Sequence, residues 1–177
     1  SNESKYCRRC PSSREIETPS HVLGACQFHN FRRVARHHKV KHRIADMLRA
    51  KGFTCYDEVS LVGDGQRRID IIAIDPNSNN IFLVDPTIRF ETNEDIDSQV
   101  KEEKKSIYEP CIEHVKRRYG EEKEVTVAGL WFGARGTIGT SVIEFFDLTS
   151  LDKSVLQTIA QEVLIDSIKM IHYHIYS

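Results

Sequence analysis

Two short apolar runs joined by a turn constrain the fold of this chain more than any other feature. Residues Ile69–Ile74 are apolar except for Asp70, and residues Ile81–Val84 are apolar throughout. Short runs rich in Ile and Val are typical of strands that are buried on both faces. The polar segment Asp75–Asn80 between them predicts a turn. The sequence therefore predicts a sheet whose inner strands are covered by other elements on both sides.

The remaining patterns extend this pair to a single α/β domain. The predicted strands are Thr54–Leu61, Arg68–Ile74, Ile81–Ile88 and Val125–Phe132, with turns at Gly63–Gly65 and Gly133–Gly139. The predicted helices are Asn30–Ala50, Val100–Tyr119 and Ser154–Tyr176. This order of elements predicts a mixed β-sheet flanked by helices. A chain of 177 residues has room for one such domain, 53–177, preceded by a linker helix, 29–52, and a small N-terminal unit, 1–28.

The N-terminal 28 residues contain few apolar side chains, so we expect a metal ion to stabilise their fold. Cys7-x2-Cys10 and His21-x4-Cys26 supply three thiolates and one imidazole, the ligand set that tetrahedral zinc prefers. His29 is an alternative to His21 as the fourth ligand. Four protein ligands leave no position for a reactive water, so the zinc is expected to be structural. The other interpretation is a set of reduced, solvent-facing thiols.

Two aspartates on the buried strands indicate a second metal site. Asp70 interrupts one apolar run and Asp85 directly follows the other, so a hairpin would bring the two carboxylates together. Mg²⁺ or Mn²⁺ would offset the cost of burying both charges and could activate a water, with Glu58 as a third acidic ligand. The alternative is that the aspartates act as turn formers or caps.

Lysines in the helix that follows could serve the same site. Lys101, Lys104 and Lys105 share one helical face with Tyr108, and a lysine there could orient water or stabilise charge on phosphate. Several glutamates surround them, so spacing alone favours an exposed charged face.

A basic helix follows the cysteine-rich unit, although the formal net charge of the chain is only −1. Between Arg32 and Lys51 the only acidic residue is Asp46, so this segment is predicted to bind nucleic acid. The candidate contact residues are Arg32, Arg33, Arg36, His37, Lys39 and Arg43. A solvated helix face is the alternative. No apolar run is long enough for a membrane span, and we expect a soluble, intracellular protein.

Several of these motifs occur together in one known family. They are the cysteine and histidine pattern with Glu17-Thr18, Arg36-His37, Arg68-x-Asp70, Val84-Asp85-x-Thr87-x2-Phe90-Glu91, Lys104 to Tyr108, the Gly133–Gly136 turn and the terminal helix. In this order and spacing the chain resembles the restriction-like endonuclease at the C-terminal end of site-specific non-LTR retrotransposon polyproteins, such as those that insert into ribosomal DNA genes.

The resemblance implies a PD-(D/E)xK type core behind a CCHC zinc knuckle, and a nick in target DNA that primes reverse transcription. It implies that Asp70 and Asp85 bind Mg²⁺ or Mn²⁺. Lys104 is the first choice for the catalytic lysine, with Lys105 nearly as well placed, because Thr87 stands where the standard motif has its lysine. The expected partners are target DNA, the element RNA and the reverse transcriptase domain of the same polyprotein, and the expected location is the nucleus.

The chain departs from the family pattern at two positions, because Ile69 replaces the usual proline and Pro86 follows the second aspartate. Two other functions stay open. One is an inactive or domesticated nucleic-acid-binding module on a nuclease fold. The other is a structure-selective nuclease similar to Holliday junction resolvases.

Overall fold

A computed structural model describes residues 5–10, 14–60 and 68–177 of the chain. Its helices are α1 (Pro19–Gly24), α2 (Asn30–Ala50), α3 (Ile96–Tyr108), α4 (Ile112–Tyr119), α5 (Thr140–Leu148) and α6 (Leu156–Tyr176), and its strands are β1 (Thr54–Ser60), β2 (Arg68–Ile74), β3 (Asn80–Arg89) and β4 (Glu124–Gly133). Short 3₁₀ turns occupy Gln27–His29, Glu109–Cys111 and Lys153–Val155.

The four strands form one mixed sheet in the order β1-β2-β3-β4. The first three strands are antiparallel neighbours, and β4 pairs with β3 in parallel after the α3–α4 crossover. The predicted mixed α/β architecture with flanking helices is therefore confirmed. The division of the chain at residues 28 and 52 stays a prediction.

The inner strands are buried on both faces, as their apolar runs predicted. Ile71 and Val84 lie in the larger core between the sheet and helices α2, α5 and α6. Ile72 and Leu83 lie in a second core on the opposite face, together with Val115 of α4. Complete burial of one such side chain stabilises the fold by roughly 1.5–3 kcal/mol, which explains why almost no polar residue is tolerated in these runs.

The predicted single helix from Val100 to Tyr119 is wrong, because the structure has two helices there. Pro110 lies in the 3₁₀ turn between α3 and α4, and a proline has no N–H to continue the α-helical hydrogen bonds. The sequence analysis also predicts no helix with the bounds of α5. The predicted turn at Gly63–Gly65 and the end of the first strand at Leu61 lie outside the described residues.

The cysteine-rich segment packs on the C-terminal part of the chain. Leu23 of α1 shares a small apolar cluster with Ala134 and with Met170 of α6. Among the described residues, no helix is both long and apolar enough to cross a bilayer.

Candidate functional site

The β2–β3 hairpin brings the two predicted aspartates to one cleft. Ile71 pairs with Val84 at the last step of the antiparallel ladder, and the next residues are Asp70 and Asp85. Both aspartates line a cleft with a volume of about 420 Å³. Beyond this point β3 leaves β2 but stays paired with β4, so the cleft opens where the two strands separate.

Asp85 is only 5% exposed, and both of its carboxylate oxygens are hydrogen-bonded. Oδ2 accepts a hydrogen bond from the Tyr108 hydroxyl at 2.7 Å and lies 3.0 Å from the Lys104 ammonium. Oδ1 accepts a hydrogen bond from the Thr87 hydroxyl at 3.0 Å. Burial and the nearby charge of Asp85 raise the pKa of Tyr108 far above its usual range, so the phenol stays neutral and donates a hydrogen bond to the carboxylate.

Lys104 reaches Asp85 because the neighbouring strand carries no side chain at the crossing point. Gly129 of β4 pairs with Asp85, and a Cβ atom at Gly129 would lie 2.9 Å from the Cβ and Cγ atoms of Lys104. The other two candidate lysines point elsewhere. Lys101 forms an ion pair with Glu144 of α5, and Lys105 is exposed.

Asp70 is approached by His37, which the sequence predicts on a nucleic-acid-binding face. His37 Nε2 lies 3.3 Å from Asp70 Oδ2, and His37 also lines the cleft. Burial lowers the pKa of His37, but the hydrogen bond to Asp70 and the charges of Asp70 and Asp85 outweigh burial, so the pKa is raised. His37 is therefore a cation beside the candidate metal ligand over a wider pH range than a free histidine.

Glu58, the predicted third acidic ligand, is held by a lysine. On β1 and β2, Asp57 pairs with Ile71 and Val59 pairs with Ile69. Glu58 and Asp70 stand between these two residue pairs, at the same level of the sheet. The carboxylate of Glu58 forms an ion pair with the ammonium of Lys41, whose side chain is only 1% exposed. This pairing competes with a role in metal binding.

The basic helix α2 is less available to nucleic acid than its sequence predicts. The surface position expected for Arg36 is wrong, because this residue is 3% exposed and donates to Ser167 Oγ and to the Leu23 carbonyl. Lys39 and Arg43 are paired with acidic residues of α6, Asp166 and Glu162 respectively.

Two other arginines of α2 lie at the same end as the cysteine-rich segment. Arg33 lines the cleft and donates to the Gly24 carbonyl and to Asn30 Oδ1. The guanidinium of Arg32 lies 4.3 Å from the ring centre of Tyr173. Both side chains are partly exposed, as is that of Arg43, which is paired with Glu162.

The four predicted zinc ligands form one buried cluster. Their ligand atoms all lie within 4.8 Å of one another, and Cys10 Sγ lies 3.2 Å from Cys7 Sγ, 3.6 Å from Cys26 Sγ and 3.1 Å from His21 Nε2. Zinc–sulfur bonds of about 2.3 Å in a tetrahedron place sulfur atoms about 3.8 Å apart, so the cluster has the size of a zinc site. This grouping favours His21 over His29 and contradicts the picture of solvent-facing thiols.

Burial raises the pKa of the Cys26 thiol to about 12, and the neighbouring Cys10 and Cys7 thiols add to the shift. Three thiols and an imidazole that converge in a buried site have the donor chemistry of a structural zinc centre.

Sequence reasoning missed two residues of these sites, Gly129 and His174, and did not indicate the contact of a third, His37, with Asp70. The pattern of the basic helix placed His37 among the candidate nucleic-acid contacts, and its contact with Asp70 depends on how α2 packs on the sheet. Gly129 gave no signal, because only the three-dimensional crossing of α3 and β4 gives it a role. His174, which is buried beside Cys7, lies far from the cysteine motif in the sequence.

Comparison with known proteins adds one similarity. Over 160 residues the chain is 27% identical to the "Retrovirus-related Pol polyprotein from type-1 retrotransposable element R2" of Popillia japonica. The match covers 89% of this chain but only 36% of the length of that polyprotein. No family model matches the chain. The similarity supports a retrotransposon origin and is consistent with a retroelement-related role for this chain.

Proposed function

We propose that this chain is a metal-dependent DNA endonuclease with a restriction-endonuclease-like core of the PD-(D/E)xK type. The observation that carries the proposal is the cleft at the end of the β2–β3 hairpin, where Asp70 and Asp85 meet a lysine that lies 3.0 Å from Asp85. In this proposal the nick in target DNA primes reverse transcription by a polymerase domain of the same polyprotein, in the nucleus. The similarity to the R2 polyprotein supports that setting.

Asp70 and Asp85 would hold Mg²⁺ or Mn²⁺. Two carboxylates that enter one cleft from apolar strands suit a hard divalent cation, which prefers oxygen ligands. Such an ion would supply an activated water and stabilise charge on the phosphoryl oxygens. Tyr108 and Thr87 orient the Asp85 carboxylate through their hydrogen bonds.

Lys104 provides the positive charge that the reaction needs near the phosphate. Its ammonium is largely shielded from water, so its attraction to a developing negative charge is weakened less by solvent. His37 also lines the cleft, beside Asp70, and adds a second positive charge there when its imidazole is protonated. The exposed Lys105 is the less suitable candidate for the catalytic lysine.

Cys7, Cys10, His21 and Cys26 would hold a structural zinc ion. The knuckle then forms part of the cleft wall, because Gly24 at the end of α1 lines the cleft and accepts a hydrogen bond from Arg33. Arg32 and Arg33 are the residues of the predicted basic set that we propose for binding target DNA or element RNA.

A nicking assay tests the enzyme proposal. We expect the zinc-loaded chain to convert supercoiled plasmid to the nicked form with Mg²⁺ or Mn²⁺ and to be inactive with a chelator. Asp70→Asn should abolish nicking, whereas Asp46→Asn, an exposed aspartate of α2, should retain it. Equal activity of Asp70→Asn and the unmodified chain would refute the proposal.

One observation favours an inactive nucleic-acid-binding module as the second candidate. Asp85 is paired with the Lys104 ammonium and Asp70 with the His37 imidazole, so the chain itself supplies a partner for each carboxylate without a metal ion. A scaffold without activity could keep the aspartates for these pairs. DNA binding by the unmodified chain with no nicking in either metal would establish this second candidate.

A further inference from the structure

A buried histidine at the end of α6 joins the zinc-ligand cluster to the C-terminal helix. His174 is 2% exposed, and its Nε2 atom lies 3.7 Å from Cys7 Sγ and 3.0 Å from Glu17 Oε2. Its other ring nitrogen, Nδ1, lies 3.2 Å from His29 Nε2. One imidazole therefore contacts a ligand of the cluster, a carboxylate of the same segment and the residue that precedes α2.

The Glu17 carboxylate orients the imidazole of His174. A carboxylate accepts hydrogen bonds, so the tautomer of His174 that fits this contact has a hydrogen on Nε2, directed toward Glu17 and the Cys7 sulfur. The Nδ1 atom faces Nε2 of His29. Glu17 is fixed in turn, because the Arg8 backbone N–H donates to it at 2.8 Å and the Arg8 guanidinium lies 2.7 Å away.

The backbone around His174 is tied to the cysteine-rich segment as well. Arg9, which stands between Cys7 and Cys10 in the sequence, donates from Nε to the carbonyl of His174 at 2.9 Å. The contact between α6 and this segment is therefore made from both the side chain and the main chain of one residue.

We infer that His174 is a positioning residue of the zinc site, which holds the sulfur of Cys7 in place through an N–H···S contact supported by Glu17. Outer partners of this kind orient metal ligands and typically change metal affinity by 10- to 100-fold. The inference rests on the proposal that Cys7, Cys10, His21 and Cys26 bind zinc, and it is independent of nuclease activity. It makes the last turn of α6 part of the metal site.

Zinc affinity of the full chain, measured by competition with a chromophoric chelator, tests the inference. We expect His174→Ala to weaken zinc binding by about 10- to 100-fold. The matched control is His172→Ala, because His172 is on the same helix but exposed. Equal affinities of His174→Ala and the unmodified chain would overturn the inference while leaving the zinc proposal intact. A chain that binds no zinc without any substitution would refute the zinc proposal itself.

Two amide variants separate the positioning role from simple filling of space. The amide nitrogen of glutamine can replace Nε2 of histidine, whereas that of asparagine replaces Nδ1. We expect His174→Gln to bind zinc more tightly than His174→Asn, including if His174→Ala fails to fold. Equal binding by these two variants would overturn the inference.

Cobalt substitution gives a readout that a merely structural residue would not change. The thiolate-to-cobalt charge-transfer band reports the electron density on the sulfur ligands. It should shift in His174→Asn relative to the unmodified chain and stay unchanged in His172→Ala. An unchanged band in His174→Asn would show that the imidazole does not act on Cys7.

Discussion

A single methyl group at Gly129 should disturb the candidate active site by a mechanism that the structure defines in detail. In Gly129→Ala the new Cβ atom would lie 2.9 Å from the Cβ and Cγ atoms of Lys104 and 3.2 Å from the carbonyl oxygen of Val100. Carbon atoms pack comfortably at about 3.5–4.0 Å, so relief requires a movement of roughly 0.6–1 Å. Because the obstacles are the root of a side chain and a backbone atom, rotation at the end of the lysine cannot remove the clash.

The expected movement separates α3 from β4 and carries Lys104 away from Asp85. Their present distance of 3.0 Å would approach 4 Å, at which a hydrogen bond is lost. A misplacement of about 1 Å can slow catalysis by about 100-fold. Overpacking of this size should also lower the free energy of unfolding by about 1–3 kcal/mol.

Single-turnover nicking rates and urea unfolding measure the two effects separately. A double-mutant cycle supplies the control. If Gly129→Ala acts through Lys104, the double variant Gly129→Ala/Lys104→Ala should nick no more slowly than Lys104→Ala alone. A Gly129→Ala protein that is destabilised as expected but nicks at the unmodified rate would refute the role of Lys104 in catalysis.

Three further predictions follow from other parts of the structure. Cys10→Ala should lose its zinc, whereas Cys55→Ala should retain one ion per chain in elemental analysis, because Cys55 lies outside the cluster; zinc retained by both would contradict the proposed site. Arg32→Ala should flatten the slope of log DNA affinity against log salt concentration by about one unit, as measured by fluorescence anisotropy. Arg36→Met should keep this slope but lower the free energy of unfolding in urea by about 1–3 kcal/mol. Tyr108→Phe should lower the free energy of unfolding by about 1.5–3 kcal/mol in urea titrations, because the charged Asp85 carboxylate loses the hydrogen bond that the hydroxyl donates to it. An unchanged stability would mean that water replaces the hydroxyl.

The sheet could be predicted because its signal is local. Ile69–Ile74 and Ile81–Val84 are short apolar runs separated by a turn, and the structure has strands at both, with Asp70 and Asp85 directly beyond their last pair. The four zinc ligands could be grouped for the same reason, since their spacing and the lack of apolar residues around them act within one short segment.

The surroundings of these residues could not be predicted, because they depend on contacts between distant segments. The charges of Lys39 and Arg43 in α2 are compensated by Asp166 and Glu162 only because α6 packs beside α2. His174 likewise reaches Cys7 only through the path of α6 in three dimensions. A sequence pattern reports which face of a helix is polar, but it does not report what covers that face.

The central claim is that Asp70 and Asp85 bind the ion that a DNA nick requires. The most direct measurement is the single-turnover nicking rate of a supercoiled plasmid at increasing Mn²⁺ concentration, with the zinc-loaded chain and with the Asp70→Asn/Asp85→Asn double variant. We predict that the rate of the unmodified chain rises to saturation, while the double variant keeps its fold and its DNA affinity but does not nick at any Mn²⁺ concentration. A double variant that nicks with the same rate and the same Mn²⁺ dependence would contradict the claim.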